Sequence, residues 1–444
     1  MSEKKNTILD GAIFPAMTRF AIPILFSLIL QALYGAVDLW MVSRFGTNAD
    51  VSAVSTGSQT MLIVTGIITG LSMGITIILA KAVGENNEKQ AADTIGTGMW
   101  VSAGAGIILM ILLIGCASFL AAALHAPQEA LTKTISYIRI CGAGTIFVVG
   151  FNVLNAVFCG LGDSKTPLIF VGTACVINIA GDYILIGNMG MGAQGAAAAT
   201  ISAQAVSVVS ALMFIKKKIP FSVSRDNFKF NVTIAVKVLK LGIPTAVLRM
   251  CNEISYLMIL GFVNVLGVVA SSGVGIAEKL VMFILLIPTA YMSAVSAFTA
   301  QNSGAGQTER AKRSMWTGMC TAGIIGGVAA YLSIFHGEEM SHLFINDQQV
   351  IKASAEFLKA TALECFILSL TYCYDGYFSG IGKTTFVMVQ GICGALLVRI
   401  PYAYYASMKA EHNLFDIGMS TAYAALFMLV VSSVYYVVRT KKSE

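Results

Sequence analysis

The sequence predicts an all-α polytopic membrane protein of twelve transmembrane helices arranged as two pseudo-symmetric six-helix bundles. Three observations carry the prediction. The 444 residues are 56% hydrophobic and 12% charged, with a mean hydropathy of +0.77. A water-soluble fold of this size would be left with too little polar surface. Apolar stretches long enough to cross a hydrocarbon core of about 30 Å recur from end to end. The chain also matches itself at a shift of roughly 220 residues.

The first span, about 14–42, follows a polar segment, residues 1–10, that lacks the apolar run and small-residue cleavage site of a signal peptide. It carries Pro23, which removes a backbone donor and is the expected hinge. The second span, about 51–80, holds Gly66, Gly70 and Gly74 at small-xxx-small spacing, which reads as close helix packing. Spans at about 94–122, 131–159, 168–187 and 193–215 complete an N-lobe, residues 1–215. The charged segment 216–235 is the expected cytoplasmic linker, and spans at about 236–262, 268–300, 314–336, 350–379, 385–408 and 415–438 make the C-lobe, residues 236–444.

The repeat aligns Ala80 with Ala300, Gly84 with Gly304, Thr97-Gly98-Met99 with Thr317-Gly318-Met319, and Gly160-Leu161-Gly162 with Gly380-Ile381-Gly382. One residue further, Pro23 meets Pro244 and Gly46 meets Gly267. A unit of six spans begins and ends on one side, so its copies are parallel. With both termini in the cytoplasm, the inner loops hold most of the Lys and Arg, while the outer loops hold only Arg44, Lys133, Lys352 and Lys409. This places the chain in the inner cell membrane, and the formal charge of +6 then needs no nucleic-acid partner.

Gly190-Met191-Gly192-Ala193-Gln194-Gly195 spells GxGxxG without a preceding strand, so a dinucleotide is not expected there. Gly380-Ile381-Gly382-Lys383-Thr384 lacks the first glycine of a phosphate loop, since Tyr377 stands five before Gly382. A cavity between two such lobes, opening alternately to each side, is the usual transporter solution. With no nucleotide site and no other cofactor indicated, an ion gradient is the expected source of energy. His125, His336, His342 and His412 lie in or next to outer loops, and the nine cysteines show no CxxC spacing. An embedded enzyme is disfavoured.

Ionisable residues within apolar spans carry the functional signal, because each costs about 2.5–3.5 kcal/mol on insertion scales. Asp38 lies near the outer end of span 1, Asn178 and Asp182 share one face of span 5, and Thr200 lies on span 6. At about 1.5 Å per residue all four reach the outer half of the first bundle. Their hard oxygens suit Na⁺, the only metal candidate, or a shared proton. Gln31, Tyr34, Asn152, Asn155, Glu253 and Asp375 are the substrate-binding candidates, with Asp375 the repeat mate of Asn155. Arg249 lies four residues from Glu253 and is able to neutralise it, and Glu278 and the adjacent Lys279 point to different faces. Arg139, Lys359, Glu364 and Arg399 have no assignable partner, so a structural role is the default for them.

These features resemble the multidrug and toxic compound extrusion (MATE) family over essentially the whole chain. The resemblance rests on Pro23 and Asp38 in span 1, on Gly84-Glu85-Asn86-Asn87, on the turn from Gly160 to Pro167, and on Asn178-Ile179-Ala180-Gly181-Asp182 before Gly192 to Thr200. It implies two lobes that form a V in the outward state, efflux of cationic amphipathic compounds driven by H⁺ or Na⁺, and a first-lobe cation site at Asp38, Asn178, Asp182 and Thr200. It also implies second-lobe roles for a glutamate matched by Glu253 and for an aspartate whose place is held by Leu368. The alternative is a lipid-linked oligosaccharide or lipid flippase of the same superfamily. Small organic compounds and the lipid bilayer are the expected partners, and a monomer is the expected state.

Overall fold

The computed structural model describes residues 8–409 and 413–441. Lys4, Lys5, His412 and Lys442 lie outside them. Each long apolar run becomes a helix, because in lipid a backbone must satisfy its own hydrogen bonds. The helices are α1 Ile13–Phe45, α2 Asn48–Gly84, α3 Glu88–Gly115, α4 Ala117–Ala123, α5 Gln128–Ala143, α6 Thr145–Gly160, α7 Lys165–Asp182 and α8 Gly192–Lys218. They continue as α9 Val232–Asn264, α10 Val268–Gly304, α11 Thr308–Phe335, α12 Gly337–His342, α13 Gln348–Gly380, α14 Thr384–Cys393, α15 Ile400–Ser407 and α16 Leu414–Lys441.

Among the described residues nine spans are long and apolar enough to cross a membrane, or ten when α5 and α6 are counted as one bent span. The helices α9 and α13, 33 residues each, are equally long but carry embedded charges, among them Arg249, Glu253, Glu364 and Asp375. Counting them gives twelve.

Several spans are less regular than expected. The fourth, expected as one helix over 131–159, bends by 50° between α5 and α6. Gly144 stands at the break, where a Cβ would run into the side chain of Ile201. The third ends at Gly115, and residues expected to extend it form the separate α4. The fifth and eleventh contain π-helical turns, Tyr183–Asn188 and Gly394–Arg399. Such turns add a residue to the helical circuit and re-aim the side chains beyond them.

The duplication is visible in the backbone. Gly162 and Gly382 have φ of 84° and 80°, and the mates Asn86 and Gly306 have φ of 53° and 73°. These left-handed residues end helices that cannot continue past them. Asn87 caps α3, its Oδ1 accepting from the Gln90 amide at 3.0 Å.

By its internal contacts the chain forms two compact units, one of residues 22–246 and one of residues 1–21 with 247–444. The boundaries fall inside α1 and α9, close to the repeat-related Pro23 and Pro244. Within the first unit, Gly70 and Gly74 of α2 lie against the backbone of Ala246 and Val238, and Gly242 lies against that of Leu71. The glycine spacing read from α2 therefore serves a backbone-to-backbone contact with the first half of α9. Within the second unit, Phe20 packs edge-on against Phe298 at 6.0 Å, and Arg310 donates to the carbonyls of Ile8 and Gly11. All nine cysteines are unpaired, with Cys141, Cys175, Cys365 and Cys373 buried.

Thr47 and Asp50 form a capping box at the start of α2, and Asp50 also receives Lys133 at 2.8 Å and the Ala193 amide at 3.1 Å. One carboxylate thus ties together the starts of α2, α5 and α8. Lys409 pairs with Asp416 at 2.7 Å. Two of the four basic residues assigned to outer loops are therefore neutralised locally.

The charge pattern makes a topological prediction. Cysteines at Lys165 and Gln307 are expected to react from one side only, and those at Asn188 and Asn346 from the other, in a background lacking the exposed Cys116 and Cys320. Ser164, beside Lys165, is only 3% exposed and would label poorly. Labelling of all four sites from the same side contradicts the orientation read from Lys and Arg.

Candidate cation and substrate site

Three helix faces meet in the unit of residues 22–246. On α1, Gln31, Tyr34 and Asp38 lie along one stripe; on α7, Asn178 and Asp182 are one turn apart; on α8, Thr200 and Gln204 are likewise. Asp38 stands seven residues before the end of α1 at Phe45, about 10 Å along the axis. It lies deeper than expected because the helix runs past residue 42. Asp182 is the last residue before the π turn of the fifth span.

The Thr200 hydroxyl links the set. It donates to Asp38 Oδ2 at 3.0 Å and is approached by Asn178 Nδ2 at 3.4 Å. Asp182 lies beside Asp38. Exposure is 6% for Asp38, 1% for Asn178 and 0% for Asp182, so water does not reach the pair freely. Asp38 Oδ1, Asn178 Oδ1 and both oxygens of Asp182 are buried without a hydrogen-bond donor.

Buried acceptors normally find donors, and a carboxyl left without one carries a penalty of about 1–3 kcal/mol or more. Four such oxygens in one place fit a cation that the residues themselves do not supply. Two carboxyls with an amide and a hydroxyl suit a monovalent cation or a proton held between the acids. Among the described residues no three His, Cys, Asp or Glu side chains gather as a metal cluster.

The remaining candidates are more dispersed. Tyr34 lies beside Asp38 and Gln204. Gln31 donates to the Ser27 carbonyl one turn back, at 3.2 Å. Asn152 donates to the Val148 carbonyl and accepts from Thr69 at 3.1 Å, and Asn155 accepts from the Cys159 thiol at 3.6 Å. The helix α1 is continuous through Pro23, whose carbonyl accepts from Ser27 at 2.9 Å.

In the other unit, Glu253 is partly buried near Arg249, but the two do not close an ion pair. Asp375, expected to face a cavity as Asn155 does, is 8% exposed and held by Gln390 Nε2 at 2.6 Å. Gln390 in turn accepts from Ser432 at 2.6 Å, so α14 and α16 cover that side of α13. Gln204, Gln390, Tyr256, Glu364 and Arg399 were not placed in a site by sequence. Glu364 and Arg399 were conspicuous as charges within apolar spans, and Gln204 left its one-turn spacing from Thr200, whereas Gln390 and Tyr256 left no signal.

A duplicated helical membrane protein with buried carboxyls gathered inside one bundle has the architecture of a membrane transporter. The MatE family model matches residues 23–184 and again 244–405, so the chain belongs to the MATE family. Its two matches begin at the repeat-related prolines. Among curated relatives, the probable multidrug resistance protein YpnP of Bacillus subtilis is 27% identical, covering 98% of this chain and 97% of its own. The multidrug export protein MepA of Staphylococcus aureus is 22% identical, covering 94% and 93%. The solved structure of an outward-facing multidrug resistance transporter of this family matches with a TM-score of 0.93 at 19% identity, over 100% of this chain and 99% of that one.

Proposed function

We propose that this protein is a secondary active antiporter that exports small cationic amphipathic compounds, coupled to inward movement of H⁺ or Na⁺ by alternating access. The observation that carries the reading is the cluster of donor-less oxygens on Asp38, Asn178 and Asp182 around the Thr200 hydroxyl. Without a cation the two carboxylates repel; a proton or Na⁺ between them draws α1 and α7 together. Pro23 leaves the Arg19 carbonyl without its helical donor, so α1 bends there at low cost. Cation and substrate then favour different bends, which is the differential affinity that exchange requires. The names of the curated relatives support multidrug efflux, and the Lys and Arg pattern supports cytoplasmic termini in the inner membrane.

A lipid-linked oligosaccharide flippase would need a broad cationic cavity for a diphosphate. Arg249 lies on α9, Lys279 on α10 and Arg399 in the π turn of the eleventh span. Such scattered cations favour efflux of organic compounds. The test is dye efflux from proteoliposomes of purified protein under an imposed proton gradient and, separately, an imposed sodium gradient. Efflux above that of empty liposomes under at least one gradient is expected. Dye retention under both, with transport of a lipid-linked diphosphate, would establish the flippase instead.

A further inference from the structure

The unit of residues 247–444 contains a second polar interior, built differently from the first. Arg399 is the last residue of the π turn in the eleventh span and is 2% exposed. Its guanidinium lies 4.5 Å over the ring of Tyr256. The Tyr256 hydroxyl donates to Glu364 Oε1 at 2.8 Å. Glu364 is 0% exposed. Arg399 Nε and Nη1 have no acceptor, and Glu364 Oε2 has no donor. At the edge, Arg249, Glu253 and Glu278 are only partly buried, and Glu278 Oε1 also lacks a donor.

If these groups served only to join helices, a direct Arg399–Glu364 ion pair would satisfy both at once. No such pair forms among the described residues, and the aromatic ring of Tyr256 holds the guanidinium on its face instead. A buried guanidinium with free N–H groups and a buried carboxylate with a free oxygen are each unfavourable alone. Together they present a donor set and an acceptor on either side of one tyrosine. At a shift of 220, Arg399 corresponds to Ile179, next to Asn178 of the first bundle. Where the first bundle offers oxygens to a mobile cation, the second offers a fixed cation to an anion.

We propose that Arg399, with Tyr256 and Glu364, is a substrate subsite for a carboxylate, and that it admits zwitterionic compounds whose carboxylate meets Arg399 and whose amine or ammonium meets Glu364. The planar guanidinium matches a carboxylate better than any other side chain does. This subsite rests on the efflux reading for its ligand, but its binding is measurable without transport.

Tetramethylrhodamine free acid and its methyl ester share a ring system and differ by one carboxylate. Their binding to the purified protein is read by fluorescence polarisation, and their efflux is read separately in proteoliposomes. The wild type is expected to bind the acid at least as tightly as the ester. In Arg399→Gln the acid-to-ester affinity ratio is expected to fall at least about tenfold, and Arg399→Lys, which keeps the charge without the planar fork, should recover part of it. An equal loss for both dyes, or an unchanged ratio, overturns the subsite. So does a wild type that binds the ester but rejects the acid, a result that decides the matter even if Arg399→Gln fails to fold. Acid binding that depends on Arg399 without efflux of either dye would leave the subsite standing and refute the efflux reading.

Discussion

Asp38→Asn and Asp182→Asn are each expected to reduce gradient-driven dye efflux to the level of empty liposomes while the protein still folds. The amide has nearly the shape of the carboxyl, and its oxygen still accepts from Thr200, which now donates to Asp38 at 3.0 Å. What the amide removes is the negative charge proposed to hold the cation. A hydrogen bond to a charged group contributes about 1.5–3 kcal/mol, so losing one carboxylate weakens cation binding by roughly tenfold to a hundredfold. Each variant should elute as a monodisperse peak and keep its helical circular dichroism. Asn178→Ala and Thr200→Ala each remove a neutral partner and should weaken coupling by less. Full efflux by Asp38→Asn would remove the site from the mechanism. Misfolding of both aspartate variants would show that the cluster only joins α1, α7 and α8.

Gly74→Leu and Gly70→Leu are expected to abolish most of the folded protein. A Cβ at Gly74 would press into the Val238 carbonyl, and one at Gly70 into the backbone of Ala246. These are backbone atoms of α9, which cannot rotate aside as a side chain would. Overpacking against flexible neighbours costs about 1–3 kcal/mol, and a rigid helix surface raises the penalty. Gly104→Leu is the control, since nothing lies within 4 Å of a Cβ built there. Thermal unfolding in detergent should show Gly104→Leu near the wild type and Gly74→Leu lowered by at least about 5 °C or not recoverable. Equal midpoints for both would contradict the close approach of α2 and α9.

The spans and the duplication were legible in the sequence because lipid imposes long apolar helices and because turns reuse their glycines. Gly162 and Gly382 are the clearest case, at φ of 84° and 80°. Asp38, Asn178, Asp182 and Thr200 were legible because ionisable and amide residues are conspicuous in apolar spans and helical spacing fixes their faces. The bend at Gly144 was not, since it depends on Ile201, distant in sequence. The π turns before Asn188 and at Arg399 left no periodic signature, so neither the re-aiming of Arg399 nor its seat over Tyr256 was readable. The role of Asp50 was not readable, since Lys133 and Ala193, which close on it, are distant in sequence. Asp375 was assigned from its repeat mate, but pseudo-symmetry does not preserve side-chain surroundings, and Gln390 and Ser432 enclose it.

The most direct test of coupling at the Asp38–Asp182 cluster is cation release on substrate binding, without any gradient. Purified protein in weakly buffered detergent solution is mixed with a cationic dye, and released protons are followed by a pH indicator, or displaced ²²Na⁺ by filtration. The wild type is expected to release a cation on dye binding, and Asp38→Asn and Asp182→Asn to bind dye with little or no release. Release of the same amount by the wild type and both variants would contradict the proposed site.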